Sequence, residues 1–292
     1  MTTNHKKYHS KLLLFGEYTV TLGSGALAIP YEKYSGCWDF GNGHEQSKQG
    51  LRKLAEYVGQ NHELAVKYNL TAFYEALDRG LYFASDIPSG YGLGSSGAVV
   101  AAFYETYSLL RSDVLALLKH ELSLLECAFH GASSGIDPLV SLINLVVHIS
   151  DQNEIFTPVM DKKDYRMSLM DTGITRKTGP FVSLFKNKLN ADIKFKDAVQ
   201  QLTKINRAAI SSYIADDRIA LFGQFDSISK IQYDFFGEMI PDHFREIWKT
   251  GLDSNKFRIK LCGAGGGGVL MGIMKDHIWF PDELTGFRTS FI

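Results

Sequence analysis

"SDIPSGYGLGSSGAVVAA", residues Ser85 to Ala102, is the stretch on which the reading of this chain turns. Gly90, Gly92 and Gly94 stand on alternate positions, Ser95 and Ser96 follow, and small apolar residues begin at once. Glycine at that density costs conformational entropy on folding and needs a physical reason. From Ser95 onward, Ala98, Val99, Ala102, Phe103 and Tyr107 keep helical spacing, so the glycines lead into a helix. Such a turn aims several backbone N–H groups one way and, with the helix dipole, makes an anion site, usually for phosphate. Two common phosphate loops do not fit. A P-loop ends in Gly-Lys-Ser/Thr, and the chain has no Gly-Lys dipeptide; a dinucleotide loop reads G-x-G-x-x-G, whereas here G-x-G-x-G is followed by two serines. A tight turn that serves packing alone is the bland alternative, and the two hydroxyls, which can bind phosphate or Mg²⁺, weigh against it.

Working outward, 292 residues suffice for one large domain or two medium ones. A formal net charge of −1, from 31 basic and 32 acidic side chains, argues against a nucleic-acid partner. Cys37, Cys127 and Cys262 are widely spaced and include no CxxC pair, which suits a reducing, cytoplasmic setting rather than a disulfide framework or zinc site. "MTTNHKKYHSKLLLFGEY" holds no apolar stretch of signal-peptide length, and "LINLVV" (Leu142 to Val147) falls far short of a membrane span. The sequence thus reads as cytoplasmic, with no membrane partner.

Lys11 to Val20 and Gly25 to Pro30 read as strands joined in a hairpin through "TLGS". Gly50 to Asn61 is a helix by the spacing of Leu51, Leu54, Ala55 and Val58. "LYFASDIP" is a strand that runs into the glycine loop. Ser112 and Asp113 read as the N-cap of "VLALLKHELSLLECAFH", which Gly131 ends. "ASSGIDP" reads as a loop, followed by a short helix or turn and a strand. Beyond a polar break near residue 150 come a strand, Tyr165 to Gly173, two or three helices between Phe181 and Thr250, and "FRIKLCGAGGGGVLMGIM", a strand interrupted by glycines. Mixed elements in both halves make the protein α+β.

Other stretches bear on the glycine loop. Five glycines in the six positions Gly263 to Gly268 exceed what a structural bend needs, so backbone must approach something closely there. Asp137 and Glu126 lie eleven residues apart in "ECAFHGASSGID". Taken singly, Glu126 reads as an exposed surface residue, Asp137 as a turn residue before Pro138, and Lys11 and Glu17 as solvated strand ends. His130 reads as a hydrogen-bonding residue at a helix end, and the aromatics of "FYETY" (Phe103 to Tyr107) as helix core.

Together and in order, "KLLLFGEYTV", "IPSGYGLGSSGAVVAA" and "KLCGAGGGGVLMGI" resemble the three motifs of the GHMP kinase superfamily, over nearly the whole chain. "HGASSGID" is similar to the H-G-x-x-S-G-x-D pattern of its mevalonate kinase branch, and Glu126 falls where that branch carries a metal ligand. The resemblance implies an N-terminal ATP-binding domain, residues 1–150, like the second domain of ribosomal protein S5. It implies a ferredoxin-like C-terminal domain, residues 151–292, with the active site in the cleft between the two. The implied activity is transfer of the γ-phosphoryl group of ATP to a small-molecule alcohol, most simply mevalonate, in isoprenoid biosynthesis, with phosphomevalonate, a sugar or homoserine as the alternative acceptors within the same superfamily. The enzyme would be a monomer or homodimer. By the same resemblance, Pro88, Gly90, Gly92, Leu93, Gly94, Ser95, Ser96 and Gly97 wrap the phosphates, with Gly265 and Gly266 completing the site. Ser96 and Glu126 would hold Mg²⁺, Asp137 would accept the hydroxyl proton, and Lys11 would keep that carboxylate ionised and stabilise developing charge.

Some residues depart from the pattern. His9 and Ser10 replace the usual Pro-Gly before Lys11, and Tyr18 follows Glu17 where mevalonate kinases usually carry His, as in phosphomevalonate kinases. Gly97 stands where alanine is usual, which should weaken the helix start slightly. The segment between the first two motifs, which normally helps build the nucleoside and acceptor pockets, is short. A phosphorylated acceptor would call on basic residues, for which His5, Lys6, Lys7 and the Arg176–Lys177 pair are the local clusters. "DTGITRKTG" (Asp171 to Gly179) reads equally as a surface loop or a phosphate-binding one. A non-catalytic regulator of the same fold would be expected to have lost members of the set Lys11, Ser96, Glu126 and Asp137, and all four are present.

Overall fold

A computed structural model describes residues 6–131, 133–160, 163, 167–254, 256–275 and 282–292. The chain divides into two compact units. The first comprises residues up to Leu12, Ile29–Pro88 and Leu93–Val147; the second comprises Leu13–Ala28, Ser89–Gly92 and the chain from His148 onward.

The chain opens with β1 (Tyr8–Phe15) and β2 (Ala26–Phe40). The first strand therefore ends five residues earlier than the spacing predicts, because Thr19–Leu22 coils into a 3₁₀ turn that Gly23 closes in the left-handed region. The second runs ten residues beyond Pro30. Three helices follow, α1 (Glu45–Gln60), α2 (His62–Ala65) and α3 (Leu70–Asp78), then β3 (Leu81–Ser85). The face of α1 marked by Leu51, Leu54, Ala55 and Val58 is buried, as its spacing predicts. Next come α4 (Ser95–Tyr107), α5 (Leu115–His130), α6 (Ile136–Ile143), β4 (Val147–Ile149) and β5 (Ile155–Phe156). The sheet runs β1-β2-β4-β5, with β3 antiparallel on β2 through Gly36 opposite Ser85 to Phe40 opposite Leu81.

Helix α4 is apolar on nearly every side, and Ala98, Val100, Ala101, Ala102 and Phe103 are fully buried. Such a helix belongs inside a layer of others rather than on a surface. It packs on α6 and α5, and its aromatic end meets Phe73 edge-on at 4.9 Å between ring centroids of Phe73 and Phe103. Burying one such phenylalanine stabilises the unit by about 1.5–3 kcal/mol. The start of α5 differs from its sequence signal. Val114 is the capping residue, and Ser112 instead accepts the Val114 N–H at 3.2 Å.

The second unit adds β6 (Met167–Asp171), α7 (Thr178–Ala191), α8 (Ile193–Ile214), α9 (Arg218–Phe235), α10 (Asp242–Ser254), β7 (Phe257–Leu261), β8 (Val269–Met274) and β9 (Thr289–Phe291). The region between Phe181 and Thr250 thus holds four helices rather than two or three. Asp192 and Asp217 cap α8 and α9 by accepting backbone N–H groups, cutting a polar stretch that no glycine or proline divides. Residues 165 and 166 of the expected strand lie outside the described residues. The sheet order β7-β8-β6-β9 is all antiparallel. Numbered along the unit it is 2-3-1-4, the ferredoxin-like order. The glycine cluster Gly263–Gly268 is the turn of the β7–β8 hairpin. Among the described residues, no helix is long and apolar enough to cross a membrane.

Candidate active site

In the first unit, four residues far apart in sequence meet at the start of α4. Lys11, on β1, donates its backbone N–H to Leu93 O at 3.0 Å and places Nζ 3.0 Å from Asp137 Oδ1. The Lys11 side chain is 8% exposed and that of Asp137 30%, so the ammonium is enclosed while the carboxylate keeps a path to solvent. Ser96 Oγ donates to Glu126 Oε1 at 3.1 Å and lies 2.8 Å from His130 Nε2. Ser133 donates to the other oxygen of Glu126 and accepts the Gly135 N–H at 2.9 Å.

Lys11 and Glu126 are therefore buried, not the solvated residues their local sequence suggests. Glu126 sits inside α5 with α4 and α6 packed about it. Burial, followed by the negative charge of Asp137, pushes its carboxyl up to about 7. The hydrogen bonds from Ser133 and Ser96 and the charge of Lys11 pull the other way without prevailing. Asp137 lies in the first turn of α6 rather than in a loop, and there the helix dipole favours its negative charge. His130 is a hydrogen-bonding residue, as expected. Ser133 is the contributor that sequence reasoning missed. The motif pattern selects Ser134, which instead accepts the Ile136 N–H at 3.4 Å.

The N-terminus of α4 is open. Its first backbone bond runs from Ala98 N to Gly94 O, so the amides of Ser95, Ser96 and Gly97 have no partner inside the helix. Gly94 caps it in the left-handed region, and no side chain caps it among the described residues. Gly90, Gly92 and Gly94 all have φ between 73° and 80°, which L side chains avoid, and this is the backbone reason for the alternate glycines. Gly97 is not a flaw in the helix. A Cβ there would sit 2.8 Å from Asp137 C and Pro138 N, so its absence is what lets α6 bring Asp137 against α4.

Pro88, Leu93, Gly94, Ser95, Ser96 and Gly97 belong to this first unit with Lys11, Glu126 and Asp137, while Gly90 and Gly92 belong to the second with Gly265 and Gly266. In the second unit, Arg176 N donates to Gly90 O at 3.1 Å and its side chain donates to Thr178 Oγ1 at 2.7 Å. Its guanidinium lies against both glycine stretches, 2.8 Å from where a Gly92 Cβ would be and 3.0 Å from where one on Gly263 would be. The Asp171–Gly179 stretch is thus packed on the glycines. Gly266 gives its N–H to Met239 O at 2.6 Å and Gly268 gives its own to Ile174 O at 2.8 Å. The amides of Gly265 and Gly267 have no partner among the described residues. Of the two glycines expected to face a ligand, Gly265 therefore keeps its donor and Gly266 does not. Of the amino-terminal basic cluster, Lys6 is paired with Glu105 at 2.6 Å and His5 lies outside the described residues.

Ser96 and Glu126 offer one hydroxyl and one carboxylate oxygen within 3.1 Å of each other, and no group of three or more His, Cys, Asp or Glu able to hold a metal occurs among the described residues. Two hard oxygen donors suit Mg²⁺, which keeps waters and takes its other ligands from phosphates. A carboxyl held near 7 by burial is one that a nearby cation would ionise.

The family described as "GHMP kinases N terminal domain" matches residues 51–143. The mevalonate kinase of Pyrococcus horikoshii is 25% identical over 301 residues, spanning 90% of this chain and 86% of its own length. The crystal structure of L. major mevalonate kinase in complex with R-mevalonate aligns with a TM-score of 0.64 at 18% identity, covering 94% of this chain and 88% of that one. Streptococcus pneumoniae phosphomevalonate kinase aligns with a TM-score of 0.68 at 16% identity, covering 98% of both. Together with the open helix start, the buried lysine–aspartate pair and the α+β units already described, these likenesses show a chain similar to the GHMP kinase superfamily, whose N-terminal domain model covers residues 51–143. Within that superfamily it is most like the mevalonate kinases.

Proposed function

We propose that this chain is an ATP-dependent kinase that transfers the γ-phosphoryl group to the hydroxyl of a small molecule, mevalonate, supplying isoprenoid biosynthesis in the cytoplasm. The observation that carries the reading is the Lys11–Asp137 pair, 3.0 Å apart, set beside the uncapped amides of α4.

Phosphoryl transfer asks a protein for charge neutralisation, alignment and a destination for the acceptor's proton. The amides of Ser95, Ser96 and Gly97, reached over the left-handed glycines, bind the phosphate oxygens. Ser96 and Glu126 are the residues that would hold Mg²⁺, which when bound neutralises phosphate charge. Asp137 accepts the hydroxyl proton late, as the acceptor oxygen bonds to phosphorus and the bond to ADP breaks; a carboxylate is too weak a base to ionise an alcohol beforehand. Lys11 stabilises the negative charge that builds up at the transferred group. Ser133 and His130 hold Glu126 and Ser96 in place. A cavity of about 480 Å³ lined by His44, Ser47, Tyr82 and Ser85 lies in the segment between the first two motifs. The rings of His44 and Tyr82 stack there at 3.7 Å between centroids, and this cavity would take the nucleoside. Residues 1–150 would act as the ATP-binding domain and 151–292 as the second domain, in a monomer or homodimer.

Phosphomevalonate is the second reading, favoured by Tyr18 after Glu17. The test is Mg²⁺-dependent ADP release with mevalonate, phosphomevalonate, homoserine and galactose. Turnover confined to mevalonate supports the proposal, turnover with another acceptor moves the substrate, and ATP binding without turnover on any of them overturns the kinase reading.

A further inference from the structure

Glu17 and Tyr18 follow β1 after Gly16, and no step derived above uses them. Both ends of the Glu17–Lys260 ion pair are buried, with the two side chains 1% and 0% exposed. Lys260 lies on β7, donates also to Leu261 O at 2.7 Å, and holds its ammonium 5.6 Å from the Phe15 ring centroid. Glu17 Oε2 is buried with no side-chain partner among the described residues, and the backbone N–H groups of Glu17 and Gly263 lie close enough to lower the carboxyl's pKa against the larger effect of burial. Burying two charges is costly, and apolar residues of similar volume often serve stability as well or better. Stability alone therefore gives a poor account of the pair. What it does fix is the register between residue 17 and the last residues of β7, just before the loop Gly263–Gly268.

Tyr18 holds the same loop at a second point. Its hydroxyl donates to Ala264 O at 2.6 Å, and its ring stacks on Phe185 with centroids 4.5 Å apart and planes 18° apart. Its φ of 61° is a strained value for a bulky side chain, and such strain persists where surrounding contacts over-determine it. On the loop, the hydrogen bonds fall on alternate residues: Ala264 to Tyr18, Gly266 to Met239 and Gly268 to Ile174. The intervening residues are Gly265 and Gly267.

We propose that Glu17 and Tyr18 are positioning residues that clamp the β7–β8 loop, Glu17 through Lys260 and Tyr18 through Ala264, so that the amides of Gly265 and Gly267 are presented in one fixed orientation. The consequence for turnover rests on the phosphoryl-transfer reading; the clamp itself does not.

The experiment uses the full chain and Tyr18→Phe, which keeps the ring on Phe185 and removes only the bond to Ala264. Amide hydrogen exchange across residues 262–269 is followed beside kcat and the KM values for ATP and the acceptor. Loss of one hydrogen bond should speed loop exchange about fivefold to tenfold and leave the amides of β6 and β8 unchanged. It should lower kcat by a similar factor with KM for ATP unaltered. Glu17→Gln, close in shape, should change both readouts in the same direction. Loop exchange like that of the wild type in both variants overturns the proposal, and so does a loosened loop with kcat intact. If the wild type turns over none of the acceptors, the kinase reading has failed, and the exchange measurement still decides the clamp.

Discussion

Replacing Gly97 by alanine is the substitution for which local propensity and tertiary packing predict opposite outcomes. Inside a helix alanine is favoured over glycine by about 1 kcal/mol. The new Cβ, however, would lie 2.8 Å from Asp137 C and Pro138 N and 2.9 Å from Asp137 Cβ. Two of those three atoms are backbone, so no side-chain rotation relieves the clash. Reaching an ordinary separation of 3.4 Å means moving the start of α6 by about 0.6 Å, the difference between 3.4 and 2.8. Overpacking of this kind costs about 1–3 kcal/mol, which offsets or exceeds the propensity gain. The net loss of stability should be about 0–2 kcal/mol, or no more than a few degrees in Tm. Activity should suffer more, because the displaced residue is Asp137 itself. A misplacement of about 1 Å costs roughly 100-fold, so about 0.6 Å should lower kcat tenfold or more, with a smaller effect on KM for ATP. Thermal unfolding and ADP release, measured on the same preparation, check both halves. A Gly97→Ala protein with a raised Tm and wild-type kcat would refute the close approach of α4 and α6.

The remaining expectations concern charge and the cavity beside His44 and Tyr82 proposed for the nucleoside. Because Glu126 is pushed up to about 7 by burial, the folded protein binds a proton that the unfolded chain has already lost between about pH 4.5 and 7. Metal-free stability should therefore fall as pH rises through that window, by up to about 3 kcal/mol, and Glu126→Gln should flatten the slope measured by urea unfolding. Mg²⁺ with nucleotide should bind more tightly as pH rises toward 7 and raise Tm most at the upper end, since ionised Glu126 is the form that would take a metal. Lys11→Met should lower kcat by roughly 100-fold or more through lost charge stabilisation, with little change in nucleotide affinity by calorimetry. Tyr82→Ala removes the ring stacked on His44 at 3.7 Å and should instead weaken nucleotide binding, by roughly tenfold, leaving kcat at saturation near wild type.

What could be read in the sequence was whatever is local. The helix start at Ser95, the buried face of α1 and the stop at Gly131 depend on spacing and on single backbone positions, and the structure has all three. The mixed elements in both halves gave the α+β class, and the resemblance of the ordered glycine motifs to those of the GHMP kinases supplied the two-domain form. The charged residues resisted reading because their partners are distant. Glu17 and Lys260 are 243 residues apart, and each alone resembles a solvated strand residue. Glu126 looks exposed on its own helix and is buried only because α4 and α6 close over it. Gly97 looked like a weak point because helix propensity says nothing of a neighbouring helix. Ser133 was hidden beside Ser134, since a hydroxyl's direction is set by the turn it sits in. Asp192 and Asp217 were the available signals for the helix boundaries missed in the second unit.

The most direct test of the account compares wild type with Asp137→Asn, measuring kcat with mevalonate and the dissociation constant for ATP. Asparagine fills the same space beside Lys11 but cannot accept the hydroxyl proton. The account predicts that kcat falls by roughly 100-fold to 10,000-fold while ATP affinity changes by no more than about threefold. Turnover by Asp137→Asn within tenfold of wild type would contradict it.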